Sequence, residues 1–269
     1  MVQFFEKNIK TDNRRSSKGN QLKWLSDNTW YKADYTGYEG MSEYVVSMLL
    51  NFSDLNDTEY IRYNTEEIHY KHAKYYGCSS QNFLPDGWQL ITLERLFQNF
   101  YGKSLNKCIY QIDDIEGRIR FLVDQTERLT GLHNFGIYIS QLLTIDALFL
   151  NEDRHTHNIA VLMDEIGKYH FCPVFDNGAA LLSDTTIDYP LDADTELLMK
   201  DVSAKTFCPS FDEQLDAAEI LYGQHIKFNF TENDIMLLLN NDHFYSEEIK
   251  QRIMYILINQ KRKYQYLFS

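Results

Sequence analysis

Between Phe149 and Leu181 the sequence reads FLNEDRHTHNIAVLMDEIGKYHFCPVFDNGAAL, which sets Asp153, Asn158 and Asp176 around two apolar runs. Carboxylate and amide oxygens are the hard ligands that Mg²⁺ takes, usually one or two of them together with substrate phosphates, so Asn158 and Asp176 form a candidate metal pair. Asp153, on the same loop and not needed for the metal, is left to orient or deprotonate a nucleophile. Phosphoryl transfer requires this division of labour: a metal on the phosphate oxygens and a carboxylate facing the attacking hydroxyl. Taken singly, each residue is an ordinary cap or turn former; their order after an apolar helix argues for a site. His155, His157 and His170 invite a zinc reading, but no cysteine or third ligand falls at zinc-site spacing. A metal-dependent phosphoesterase, hydrolysing instead of transferring, would use the same acids and histidines.

These residues need elements to hold them. FGIYISQLLTIDALFL, from Phe135 to Leu150, is apolar nearly all round and predicts a core helix leading into the loop. After it, IAVLMD, a turn at Glu165-Ile166-Gly167, and KYHFCPVF predict a strand pair with Asp176 at the end of the second strand. That hairpin would bring Asp176 back near Asn158.

The Asp-to-Asn spacing of five is that of the protein-kinase catalytic loop, with FDNG where that fold has DFG. More closely, NEDRHTHN followed by CPVFDNGAAL resembles the motifs of the HipA-like kinases, especially the compact CtkA-like serine/threonine kinases. Type II phosphatidylinositol 4-kinases have a similar loop. The resemblance implies Asp153 as catalytic base, Asn158 and Asp176 as metal ligands, and Arg154 and His155 as supports of the loop. It also implies ATP as substrate, with Mg²⁺, or Mn²⁺ in its place, as cofactor.

A kinase of this kind needs a lysine in a strand followed by a glutamate in a helix. NQLKWLSDNTWYKADY reads as a hairpin about Ser26-Asp27-Asn28 and puts Lys32 on its second strand. GMSEYVVSMLLNF then reads as an amphipathic helix opening after Gly40, with Ser42 as cap and Glu43 inside it. Without the acids downstream, Lys32 reads rather as an edge-strand lysine and Glu43 as a first-turn acid; with them, the two read as a pair. RRSSKGNQLKW stands where a phosphate-covering loop belongs. It has one glycine, so the hydroxyls and amides of Ser16, Ser17, Lys18 and Gly19 would have to cradle the phosphates. In some relatives serines of this segment are autophosphorylated, which implies Ser16 and Ser17 as sites; phosphate there would repel ATP and inhibit. WQLITLERLF reads as a buried strand leading into an irregular segment. It resembles the HipA-like hinge, with Glu94, Arg95 and Leu96 offering backbone contacts to adenine.

Composition narrows the rest. The chain has 269 residues, 44% hydrophobic, enough for one large domain or two small lobes. A net charge of −13 argues against a broad nucleic-acid footprint, and no palmitoylation-like cysteine cluster or basic patch suggests a membrane. The four cysteines are widely separated, as reduced thiols of a cytoplasmic protein would be; secretion without a cleaved signal stays open. Beyond Asp176 runs a long activation or substrate segment in which Ser183, Thr185 and Thr186 are candidate autophosphorylation sites. PSFDEQLDAAEILYG then starts a helix capped by Ser210, with Glu213 completing a capping box. SEEIKQRIMYILINQKRKYQYLF predicts a last helix whose acids lead and bases trail.

The expected fold is therefore α+β and two-lobed, protein-kinase-like, with a small mixed α/β N-lobe over 1–97 that binds ATP. A larger, mainly helical C-lobe over 98–269 carries the catalytic loop and metal site. The expected activity is transfer of the γ-phosphoryl of ATP to a Ser or Thr of a protein, with autophosphorylation. The alternatives are a kinase toxin with an antitoxin-like partner, a lipid kinase, or an inactive pseudokinase that only binds.

Overall fold

The computed structural model of the chain describes residues 2–4 and 21–269, and it divides into two compact units. One is drawn from Met1–Phe83, Asp176–Val202 and Lys227–Ser269, the other from Leu84–Phe175 and Ser203–Ile226.

In the first unit β1 (Val2–Phe4), β2 (Lys23–Ser26), β3 (Thr29–Ala33), β4 (Asn64–Tyr70) and β5 (Ala73–Gln81) form a sheet in the order β1-β4-β5-β3-β2. Only the β1–β4 pair is parallel among these described strands. Both hairpins turn on two residues in the left-handed region, Asp27-Asn28 and Lys71-His72, whose twist matches that of the strands they join. On one face Phe4 stacks on Trp24 at 5.1 Å and Trp24 meets the edge of Tyr70 at 5.5 Å. With Ala33 and Ile68 these make a buried cluster.

Helix α1 (Glu39–Leu50) packs on β4 and β5. Its approach depends on missing side chains, since a Cβ on Gly40 would fall 2.4 Å from the Gly77 carbonyl carbon of β5. The sequence expectation of Ser42 as the cap is corrected here. The helix starts earlier, because Glu39 accepts the amides of Thr36 and Gly37 and Asp34 accepts that of Gly40 at 2.6 Å. Ser42 lies inside the helix, fully buried, and donates instead to Ala180 O at 2.8 Å.

The second unit contains β6 (Gln89–Thr92), α2 (Leu93–Tyr101), α3 (Leu105–Ile109), α4 (Ile115–Thr130), α5 (Phe135–Phe149), β7 (Ala160–Met163) and β8 (Tyr169–Phe171). The three strands pair antiparallel in the order β6-β7-β8. Helix α5 is the expected core helix, and it ends at Leu150 in the left-handed conformation with the Asn151 amide on Asp146 O. The stretch after β6, expected to be irregular, is helix α2: Thr92 caps it by accepting the Arg95 amide at 3.3 Å. Strand β8 stops at Phe171, so Asp176 is not on it but five residues beyond.

Of the remaining helices, α6 (Thr195–Asp201), α8 (Glu232–Asn241) and α9 (Glu247–Lys263) belong to the first unit and α7 (Phe211–Tyr222) to the second. Ser210 caps α7 as expected, while a full capping box is formed on α8 by Thr231 and Asp234. Among the described residues no helix is long and apolar enough to cross a membrane.

Candidate functional site

Side chains alternate along a strand, so Lys32 of β3 leaves the sheet on the face opposite its neighbours, in register with Cys78 of β5. Its ammonium lies 2.6 Å from Glu43 Oε1 and 2.9 Å from Asp176 Oδ1, and 5.1 Å from the centre of the Tyr63 ring. Burial works against this charge, but Asp176 and then Glu43 outweigh it and hold the lysine pKa well above its usual value. The same burial raises the Tyr63 hydroxyl and the Cys78 thiol, so both stay neutral beside the lysine.

Glu43 is itself buried, and its second oxygen accepts the Asn177 amide at 2.8 Å. Asp176 is in the left-handed region, which a short polar side chain tolerates. The chain beyond it is tied to α1: Tyr38 OH donates to Leu181 O at 2.6 Å, Ser42 to Ala180 O, and the Tyr38 amide to Ser183 O. Leu181 and Leu182 also take positive φ, a conformation costing a leucine roughly 1–2 kcal/mol, and these contacts maintain it. Ser183, a candidate phosphorylation site, is buried and donates to Gly178 O at 2.6 Å.

In the second unit the loop after α5 is built on one buried ion pair. Asp146, fully buried in the last turn of α5, accepts three bonds of 3.1–3.2 Å from the Arg154 guanidinium and one of 2.9 Å from Asn151. Burial pushes the Asp146 pKa up, and Arg154 pulls against it. Arg154 also donates to Asn158 O and, at 2.8 Å, to Phe175 O. Asn158 donates its side-chain amide to Asp153 O at 2.9 Å, leaving its amide oxygen as the acceptor atom. His155 lies 4.0 Å from Asp153, and its Nδ1 is buried with no hydrogen-bond partner in the described structure. Its ring meets that of His157 edge to face at 5.5 Å.

Several expected residues fall elsewhere. The Glu94 amide donates to Thr156 O and that of Arg95 to its cap, Thr92, while Leu96 is buried inside α2. Those two amides are therefore already engaged, so adenine contacts at Glu94, Arg95 and Leu96 would have to use other main-chain atoms. Glu94 instead braces the loop: its carboxylate accepts the Leu105 and Asn106 amides and the Thr156 hydroxyl. Its pKa is lowered, burial being overcome by hydrogen bonds from Ser104, the Asn106 amide and Thr156. Ser16, Ser17, Lys18 and Gly19 lie outside the described residues.

Sequence reasoning missed Asp146, although a lone acid in the apolar run TIDALF was a signal, since a buried carboxylate needs a cation. It missed Tyr63 and the Asn177 amide, which carry no local mark.

The architecture, a five-stranded sheet with α1 against it in one unit and a largely helical second unit with a three-stranded sheet, is a kinase-like α+β fold. The fold is similar to that of the proinflammatory kinase CtkA of Helicobacter pylori: 18% sequence identity over 97% of this chain and 94% of that one, with a TM-score of 0.58. HipA of Shewanella oneidensis MR-1, solved with HipB and operator DNA, aligns at 12% identity over 96% of this chain and 67% of its own, with a TM-score of 0.41. No protein-family model matches the chain, and no curated protein matches it in sequence.

Proposed function

We propose that this chain is an ATP-dependent kinase that transfers the γ-phosphoryl group to Ser or Thr hydroxyls of a protein, itself included. The observation that carries the reading is Lys32 held between Glu43 and Asp176 by partly buried charge pairs. A lysine kept charged at that place can take the ATP phosphates, and Glu43 fixes its direction. Residues 1–97 would bind the nucleotide and 98–269 carry the catalytic loop, with Ser16, Ser17, Lys18 and Gly19 covering the phosphates.

Asp153 is the proposed base. Its main chain is braced by Asn158, and Arg154 holds the loop through Asp146, so the carboxylate is presented by a pre-organised turn. Asn158 and Asp176 supply an amide and a carboxylate oxygen, a donor set that fits Mg²⁺ or Mn²⁺. Among the described residues no three His, Cys, Asp or Glu side chains group to hold a metal by themselves, so a cation would complete its shell with substrate phosphates. When bound, it would neutralise charge on the phosphates.

The test is transfer of label from γ-labelled ATP with Mg²⁺ to protein, comparing the natural chain with Asp153→Asn and Asp176→Asn. Label that both variants lose supports the kinase. ATP binding without transfer would make the chain a pseudokinase, and absence of ATP binding would overturn the reading. An antitoxin-like partner would be sought by co-purification.

A further inference from the structure

Lys205 stands out in the second unit. Its ammonium lies 3.8 Å from both Glu152 Oε2 and Asp153 Oδ1, too far for a hydrogen bond to either. The main chain around it is fixed without the charge. Thr206 donates to Arg154 O at 2.5 Å, Tyr110 OH to Lys205 O at 3.3 Å, and Arg118 to Phe207 O at 2.7 Å. The side chain is 45% exposed, and an exposed pair of this kind contributes only about 0–1 kcal/mol to stability. The segment is thus tied to the loop by Thr206 and held from behind by Tyr110 and Arg118, none of which uses the Lys205 ammonium, and it delivers a cation beside the proposed base.

The arginine of the loop does not do this. Arg154 is buried, with its guanidinium held by Asp146, Asn158 O and Phe175 O. During phosphoryl transfer, charge is spread over three equatorial oxygens, and groups already aimed at it lower the barrier. A phosphoryl group arriving at a hydroxyl that faces Asp153 comes within reach of an ammonium 3.8 Å from the same carboxylate.

We infer that Lys205 is a catalytic residue of this site, donating to a non-bridging oxygen of the phosphoryl group in flight. The inference rests on the kinase reading above. In the step, the acceptor oxygen bonds to the γ-phosphorus and its proton passes to the Asp153 carboxylate. The bond from phosphorus to the bridging oxygen breaks, and its electron pair leaves on ADP. Lys205 remains protonated throughout. Glu152, buried beside it, keeps the ammonium over the site before ATP arrives.

The experiment uses the full chain with γ-labelled ATP and Mg²⁺, measuring transfer to the chain itself and to casein for the natural protein, Lys205→Met, Lys205→Arg and Asp153→Asn. Lys205→Met is expected to lower kcat by about 100-fold, as loss of one charge-stabilising donor does, with the KM for ATP changed by less than about threefold. Lys205→Arg recovers part of the rate, and the urea midpoint of Lys205→Met matches the natural chain. Transfer at full rate by Lys205→Met overturns the inference alone. So does a fall in rate that tracks a lowered urea midpoint and is not relieved by Lys205→Arg, which would assign the residue to packing. A natural chain that transfers nothing overturns the kinase reading and the inference with it.

Discussion

Glu43 accepts the Asn177 amide on Oε2 at 2.8 Å while its Oε1 holds Lys32 at 2.6 Å. One buried carboxylate on α1 thus ties the strand lysine to the chain just past Asp176. The position of α1 and the start of the 176–183 segment are therefore set by the same side chain.

Glu43→Gln tests that coupling. The glutamine keeps one acceptor oxygen but turns an NH₂ toward either the Lys32 ammonium or the Asn177 amide, so one donor meets another. Breaking a buried pair in this way is expected to lower the unfolding free energy by about 3 kcal/mol. Urea unfolding measures it, and a loss under about 1 kcal/mol would show that Asp176 alone suffices for Lys32.

Arg154→Met leaves Asp146 buried without its cation, at a cost of about 3–5 kcal/mol. Burial already raises the Asp146 pKa against the pull of Arg154, so losing Arg154 drives it further up. The carboxyl then folds protonated, and the penalty shrinks as the pH falls. Asp146→Asn added to Arg154→Met should recover part of the loss, giving a coupling energy of at least about 1 kcal/mol in a double-mutant cycle. Additive effects would mean that the pair does not hold the loop.

These pairs show where the sequence was legible. Local patterns gave the Asp27-Asn28 hairpin, the core helix ending before Asn151, and the strand pair about Glu165-Ile166-Gly167, because each signal lies within a few neighbouring residues. Lys32 and Glu43 also meet as their spacing suggested. What escaped depends on contacts distant in the chain. Thr92 turned an expected irregular segment into a helix, and Glu94 found its partners at Leu105, Asn106 and Thr156. Ser42 lost the capping role to Asp34 and Glu39, and Asp34 in turn accepts from Tyr245 OH on the far side of the sequence. No periodicity announces such partners.

Asp34 predicts a pH dependence. Burial first, then the Glu39 charge, raises its pKa to about 7, with Asp242 adding to the rise and bonds from Tyr245 OH and the Gly40 amide opposing it. An acid whose folded pKa exceeds its unfolded value of about 4 binds more protons in the folded chain between the two, so its contribution to stability falls as pH rises from about 4 to about 7. Asp34→Asn removes this term. Relative to the natural chain, its unfolding free energy is expected to improve by on the order of 2 kcal/mol between pH 5 and pH 8. Urea unfolding at both values checks it; a difference that stays constant with pH would place the Asp34 pKa near that of an ordinary carboxylate.

Gly37→Ala probes the contact between the turn before α1 and the segment beyond Asp176. A Cβ on Gly37 would fall 1.8 Å from Ser183 O and 2.8 Å from Thr185 N, and both are main-chain atoms with no rotamer to yield. The neighbouring Tyr38 amide donates to Ser183 O, and the Thr186 amide and hydroxyl donate to Thr36 O, so the two stretches cannot part without losing these bonds. Overpacking of this kind costs about 1–3 kcal/mol. The expected result is a lower urea midpoint together with faster proteolytic cleavage within 178–186, because the damage is centred there. Unchanged cleavage beside a lowered midpoint would mean that the strain is absorbed by the turn at Tyr35 and Thr36, and that α1 does not hold the segment through Gly37.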